Sequence, residues 1–392
     1  MKTNSAFKAP NWILFSLMCF VVLLFVLFTN NFSGYALVYS AFLLFIYGRL
    51  TFGKRESRPK YRTIFMVTYA VLFCVSFIFD LYQERGSMAI TDGAFTNAEL
   101  PFCHIAIPQV LIPFIITGRI IFPARILNHY AALASMVLIW LTLAISIGRG
   151  WCSWVCFYGG WEEGSSSISK KRKINLLPKN KELRDFHMGF MVFIVLGSLS
   201  AMASIYCDWF CPFKLVTEYT PMNTIPALIA GVIFIGLFLG FVVILPILTK
   251  RRTQCSTICP FGAFAALTDK ASLFSVRINT EKCIGCMKCA KTCKFGAIDI
   301  KTIQDKKGQV EFNCAKCGDC VSICPENAIY YDFKFIRKCA RSEKKSGRIA
   351  KVIKEVCSPE NMFRFAAFSF AVIMSAGSSI GAMKVIAGLF IK

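Results

Sequence analysis

Seven apolar runs, some of them joined by strongly basic loops, constrain this chain more than any other feature. They cover residues 11–29, 35–47, 63–79, 129–147, 188–206, 226–248 and 363–380. A transmembrane helix needs about 20 apolar residues, with a range of about 17–25. In lipid the spanning backbone must satisfy its own hydrogen bonds, which leaves helices or closed barrels. The runs therefore predict a membrane α-helical bundle of about six to seven transmembrane helices, the second run being the shortest. Composition agrees, with 56% of residues hydrophobic, 17% charged and a mean hydropathy of +0.56. The formal charge of +23 comes without any nucleic-acid motif, so it reads as lysine and arginine in cytoplasmic loops. The first run follows Lys2 and Lys8 and lacks an A-x-A cleavage site, so it reads as an uncleaved helix.

Loop charge sets orientation. Arg49, Lys54, Arg55, Arg58, Lys60 and Arg62 place the loop after the second run inside, and the N-terminus with it. The loop 80–103 carries Arg85 alone among its basic residues and lies outside; residues 170–184, "KKRKINLLPKNKELR", lie inside. This order holds only if residues 105–122 do not cross. That segment contains Pro108 and Pro113, which disfavour regular helix. It reads as a re-entrant segment on the outer side, with a kinked full span as the alternative. Lys250, Arg251 and Arg252 then mark the inner end of the sixth run.

Two segments repeat beyond that point, "CIGCMKCAKTCKFGAI" from Cys283 and "CAKCGDCVSICPENAI" from Cys314. Both have C-x2-C-x2-C-x3-C spacing, in which three thiolates hold one [4Fe-4S] cluster and the fourth reaches the other. The spacing assigns Cys283, Cys286, Cys289 and Cys324 to one cluster, and Cys314, Cys317, Cys320 and Cys293 to a second. Pro325 follows the last cysteine, while Lys294 stands at the matching place in the first run. Eight cysteines in this doubled pattern argue against zinc. The pieces "FSVRI", "QVEF" and "AIYY" fit a small α+β ferredoxin fold.

A second repeat pairs "CSWVCFYGGW" from Cys152 with "CSTICPFGAF" from Cys255. Positions i and i+4 share a helix face. Cys152, Cys156, Cys255 and Cys259 therefore supply four thiolates, the ligand count of a third [4Fe-4S] cluster at the inner membrane face. Buried small cysteines, or a disulfide within each pair, are the competing readings.

"GRGWCSWVC", "CSTICPFGAFAAL" and the tandem motif together resemble the NapH/NosR-type polytopic membrane ferredoxin family. The resemblance covers roughly Cys152 to Tyr331. It implies electron transfer from quinol or a cytoplasmic donor to a periplasmic enzyme. Two features depart from that pattern: Phe157 stands where the family has proline, and the pair Cys207/Cys211 in "IYCDWFCPFK" is additional. There is no flavin-attachment signature. There is no C-x-x-C-H haem motif, and the histidines are three, His104, His129 and His187.

By this topology Cys207 and Cys211 face outward, as does Cys103. Together they offer three ligands, with His104 or a partner residue as the fourth, for a fourth iron–sulfur cluster near the outer face. An outward disulfide is the alternative. Cys19 and Cys74 read as packing residues. Cys339 and Cys357 flank a basic linker whose part 348–356 reads as an amphipathic helix on the anionic inner surface. Glu162 and Glu163 beside the inner pair are candidate proton acceptors for a quinone, though solvated surface carboxylates are the commoner case.

The domain expectation is a polytopic membrane domain over 1–271 and a cytoplasmic ferredoxin domain over 272–335. A basic linker over 336–362 and a C-terminal transmembrane helix over 363–392 complete it. The chain reads as an electron-transfer subunit of an oxidoreductase in the cell inner (cytoplasmic) membrane, without a catalytic side chain of its own. It would link a cytoplasmic donor or quinol pool to an outer-facing or periplasmic redox partner. The rival reading is a redox-sensing or metalloenzyme-maturation ferredoxin.

Overall fold

The computed structural model describes residues 9–83, 104–118, 130–214, 224–304, 308–334 and 348–390. Cys103, His129, Cys339, the loop 84–103 and residues 119–122 lie outside the described residues.

Helix α1 (Ala9–Val22) continues through a π-helical turn to Phe28. Then come α2 (Gly34–Phe52), α3 (Arg58–Gln83), α4 (Ile107–Thr117) and α5 (Tyr130–Ser146). Two short helices follow, α6 (Trp151–Trp154) and α7 (Phe157–Ile168), before α8 (Asn180–Ala201) and a π-helical turn α9 (Tyr206–Phe210). The chain returns through α10 (Ile225–Leu237), π-helical residues to Ile244, and α11 (Leu245–Thr249). A second short pair follows, α12 (Thr253–Thr257) and α13 (Pro260–Thr268). Among the described residues six helices are long and apolar enough to cross a membrane, spanning Pro10–Phe28, Gly34–Phe52, Arg55–Phe79, Asn180–Ala201, Ile225–Thr249 and Pro359–Phe390.

The second run is longer than its apolar stretch. Ser33 caps α2 by accepting from Ala36 N at 3.3 Å. The helix runs on past Tyr47 because its polar residues find cover. Ser40, Tyr47 and Thr51 are buried in the bundle, and the Arg49 guanidinium lies over the Tyr61 ring at 4.8 Å. The last helix, α18 (Pro359–Phe390), turns a face with Ala371, Ser375, Ala376 and Ser379 inward. Small residues of this kind let helix backbones approach closely.

The ferredoxin unit begins at β1 (Phe274–Ile278), contains α14 (Lys288–Thr292), α15 (Ile300–Gln304) and α16 (Asp319–Ile323), and closes with β2 (Ile329–Phe333). The strands pair antiparallel, with Val276 opposite Tyr331. "FSVRI" and "AIYY" thus form the sheet, whereas "QVEF" contributes a single bridge between Gln309 and Arg277. The unit is docked against the bundle rather than hung from a linker. Leu273 N donates to Ile145 O at 2.8 Å, and Phe363 of α18 stacks on Tyr331 at 4.8 Å. The segment 170–184 joins the same junction: Arg184 pairs with Asp299 at 2.8 Å, and Asn180 is buried. Within 336–362 the structure describes α17 (Arg348–Val356), which packs on α1.

Candidate metal centres

The two ferredoxin repeats share a backbone as well as a spacing. Gly285 and Met287 flank Cys286 with φ of 69° and 58°; Lys316 and Gly318 flank Cys317 with φ of 51° and 83°. Left-handed residues on both sides of the second cysteine bend each loop around its contents. Four residues after the fourth cysteine, a backbone N–H donates to its sulfur: Ala297 N to Cys293 at 3.2 Å and Ala328 N to Cys324 at 3.3 Å. Cys283, Cys286, Cys289 and Cys324 line one hollow. Burial raises the thiols of Cys314, Cys317 and Cys320, and the nearby Cys293 raises each of them further. The structure gathers Cys283, Cys286, Cys289 and Cys324 around one hollow and sets Cys293 near Cys314, Cys317 and Cys320. The first group faces solvent at Cys286, which is exposed, and the loop of the second lies against the bundle, where Ser153 Oγ donates to Ala315 O at 2.5 Å and Trp154 Nε1 to Lys316 O at 3.2 Å.

The two C-x3-C motifs meet inside the bundle around a pseudo-twofold arrangement. Cys156 caps α7 and accepts from Gly159 N at 3.4 Å; Cys259 caps α13 and accepts from Gly262 N at 3.4 Å. Arg149 lies three residues before Cys152, and Arg252 three before Cys255. Each reaches across to the other motif. Arg149 Nη2 donates to Cys255 O at 3.3 Å, while Arg252 Nη1 donates to Cys152 O and its Nη2 to Gly159 O. Against the effect of burial, the Arg149 charge also pulls the Cys152 thiol down. Burial raises all four thiols; Cys152 further raises Cys156 and Cys259, and Cys156 and Cys259 further raise Cys255. Among the described residues no three His, Cys, Asp or Glu side chains converge closely enough to share one metal ion. A cubane instead takes one thiolate per iron.

The site has no room for a side chain at its glycines. A Cβ at Gly262 would stand 2.6 Å from Cys255 O, and one at Gly159 would stand 2.8 Å from Cys152 O. Gly262→Ala is therefore expected to distort this site; with a [4Fe-4S] cluster held there, as proposed below, the variant would lose about four irons while the ferredoxin irons stay. Iron and acid-labile sulfide per chain would check it; an unchanged count contradicts it.

Glu162 and Glu163 are not solvated carboxylates; both are fully buried. Solvated surface carboxylates are the commoner case, but here α7 is buried or half-buried from Phe157 to Ser166. Glu162 accepts from Gln254 N at 2.7 Å and Cys255 N at 3.1 Å, bracing the second motif from behind. Burial pushes its carboxyl up to about 7, against the pull of Arg252. Glu163 is the hub of an ion network, with Lys294 at 2.6 Å, Arg62 at 2.8 Å and Arg252 at 3.1 Å. Arg62 goes on to Asp319, between two cysteines of the second ferredoxin group, at 3.0 Å. Arg62 thus points into the protein instead of serving as a loop charge. Arg149 is fully buried too, and among the described residues no carboxylate side chain pairs with its guanidinium. Sequence reasoning missed Arg149 and Arg252, although the shared pattern R-x-x-C-S-x-x-C carried the signal.

The pair Cys207/Cys211 does not stand at the far end of α8. Met202 adopts a left-handed conformation (φ 50°) and reverses the chain. Gln109 Oε1 then accepts from Ser198 Oγ, Ser204 Oγ and Tyr206 N at 3.0–3.3 Å, pinning the returning segment. Phe210 comes to rest against Phe190, ring centroids 5.4 Å apart. Phe190 lies only about 4.5 Å along the helix axis from His187, whose Nε2 donates to Cys259 O at 2.8 Å. The pair is buried. Tyr206, next to Cys207, accepts at its hydroxyl from Gln254 Nε2 at 3.3 Å, and Gln254 is next to Cys255. His104, expected as an outer ligand, has its Nε2 3.2 Å from Cys156 Sγ instead. Cys74 is a buried packing residue whose sulfur accepts from Trp161 Nε1 at 3.3 Å.

Comparison with known proteins accords with this geometry. A 4Fe-4S dicluster domain matches residues 282–328. A 4Fe-4S binding domain matches three times, over residues 128–175, 186–220 and 231–280, and the middle match contains Cys207 and Cys211. The chain is similar to the methylamine utilization ferredoxin-type protein MauN of Methylorubrum extorquens, at 27% identity over 50% of this chain and 61% of that protein. It is also similar to the putative electron transport protein YccM of Escherichia coli, at 24% identity over 41% of this chain and 45% of that protein. The matches thus cover less than two thirds of either relative. No solved structure matches. The chain carries 4Fe-4S ferredoxin-type domains and is distantly homologous to ferredoxin-type electron-transport proteins.

Proposed function

We propose that the chain is a multi-pass inner-membrane electron carrier of the NapH/NosR type, with its ferredoxin unit on the cytoplasmic side. Cys283, Cys286, Cys289 and Cys324 would hold one [4Fe-4S] cluster, and Cys293, Cys314, Cys317 and Cys320 a second. Cys152, Cys156, Cys255 and Cys259 would hold a third. Cys207 and Cys211, with Cys103 and one further ligand, would hold a fourth. Bound there, such clusters supply one-electron carriers that accept and release electrons without making or breaking bonds.

The observation that carries this reading is Arg149. A fully buried guanidinium without a carboxylate partner is costly unless an anion faces it. Arg149 Nη2 donates to Cys255 O at 3.3 Å and, against burial, its charge pulls the Cys152 thiol down; four thiolates around a 2+ iron–sulfide core would carry a net charge of about −2. The residues also suggest an order. Cys286 lies at the solvent side, Asp319 and Arg62 tie the second group to Glu163, and Tyr206, next to Cys207, meets Gln254, next to Cys255, at 3.3 Å. Donor electrons would therefore enter at the Cys286 side. They would leave toward an outer-facing or periplasmic partner, with a quinol pool as the alternative donor.

Orientation is tested by labelling Lys282, exposed beside Cys283, with an impermeant amine reagent. Labelling in inside-out vesicles only is expected; labelling in right-side-out vesicles only would reverse the direction. For the fourth site, Cys207→Ala/Cys211→Ala is expected to lose about four of about sixteen irons. An unchanged iron count would make the pair a disulfide or a packing feature.

A further inference from the structure

We infer that Arg149, Arg252 and Phe295 form a symmetric bracket that raises the reduction potential of the four-thiolate site and locks the ferredoxin unit against it. The inference rests on the proposed occupancy of that site by a cluster. Phe295 follows Cys293 and Lys294 in the ferredoxin unit and is buried. Its ring lies under both guanidiniums, 5.6 Å from Arg149 and 5.2 Å from Arg252. Arg252 N donates to Lys294 O at 3.1 Å, and Arg149 Nη1 donates to Asn313 O. Each arginine therefore holds three things at once: the opposite cysteine motif, the ferredoxin backbone and the shared ring. A lysine would keep the charge but not the several donors in a fixed plane or the flat face for a ring.

The electrical consequence follows from position. One electron leaves the ferredoxin unit and one arrives among Cys152, Cys156, Cys255 and Cys259, so negative charge there grows by one and no proton need move. A fixed cation in a water-poor interior stabilises the more negative form and so favours reduction. The two arginines are not equivalent in this respect. Arg252 shares its charge with Glu163, whereas among the described residues no carboxylate forms an ion pair with the Arg149 guanidinium, Asp269 accepting from the Arg149 backbone N instead at 2.8 Å. Arg149 is the stronger lever, and Arg252 is chiefly a positioning residue.

The test compares wild type, Arg149→Gln, Arg149→Lys and Cys255→Ser as full chains in detergent, by iron and sulfide content and by EPR-monitored redox titration. Cys255→Ser identifies the signal of the four-thiolate site. In Arg149→Gln that signal is expected at lower potential, by at least a tenfold shift in its reduction equilibrium, about 59 mV for one electron. The ferredoxin signals should stay in place. Arg149→Lys, which keeps the charge, should hold its irons and move less. Full iron with an unmoved midpoint in Arg149→Gln overturns the bracket and leaves the proposed function standing. A wild type without the extra four irons overturns the proposed function itself. If Arg149→Gln loses the irons, retention in Arg149→Lys near the wild-type midpoint supports the charge role. Loss in both variants reduces Arg149 to a folding element and overturns the inference.

Discussion

Replacing Glu163 by alanine is expected to loosen the ferredoxin unit from the bundle, at a cost of roughly 3–5 kcal/mol. Glu163 is fully buried and is the common partner of Arg62, Lys294 and Arg252, which come from α3, the ferredoxin unit and the loop before α12. Removing one member of a buried ion cluster costs more than the cluster contributes, because the remaining charges stay desolvated. Here Arg62 would keep Asp319, but Lys294 would lose its ion-pair partner. The expected result is a lower unfolding temperature in detergent and faster proteolysis within the ferredoxin unit. A change below about 1 kcal/mol, the scale of a solvated pair, would mean that water reaches this network.

Replacing Cys255 by serine is expected to have the largest effect on composition and function together. The four-thiolate site would lose about four irons, because a cubane needs all four ligands. The ferredoxin unit, which draws none of its ligands from the bundle, should keep about eight. Reduced ferredoxin signals should then persist on addition of an acceptor restricted to the far side of a vesicle, whereas in wild type they decay. Cys357→Ser is the matched control, since that thiol is exposed at the end of α17 and should change neither quantity. Wild-type iron and undiminished transfer in Cys255→Ser would remove the four-thiolate site from the path.

The parts of this protein that sequence reveals are those whose geometry is local. The tandem ferredoxin motif is legible because three ligands of each group lie within seven residues, and its repeated left-handed positions follow from the same spacing. The C-S-x-x-C repeat is legible for the same reason. The charges are harder to read. Arg62, Arg251 and Arg252 lie in basic loops or helix ends and look like topology signals, yet all three are buried. Whether an arginine faces water or a buried site is decided by elements about a hundred residues away, such as α7 for Arg62. The direction of "CDWFCP" is hidden likewise. One left-handed residue, Met202, and one long-range amide, Gln109, turn it back toward Cys259, and neither leaves a spacing to read. Glu162 and Glu163 were obscured by their own composition, since two adjacent carboxylates beside glycine and serine resemble a solvated surface.

The central claim is that thiolate sites continue from the ferredoxin unit into the helical bundle. It is tested most directly by iron and acid-labile sulfide per chain, measured anaerobically on the purified full-length protein. The account predicts about sixteen of each, eight from the ferredoxin unit and eight from the bundle. A value of about eight would contradict it, confining the chain's redox chemistry to the ferredoxin unit and leaving the C-S-x-x-C motifs as structure alone.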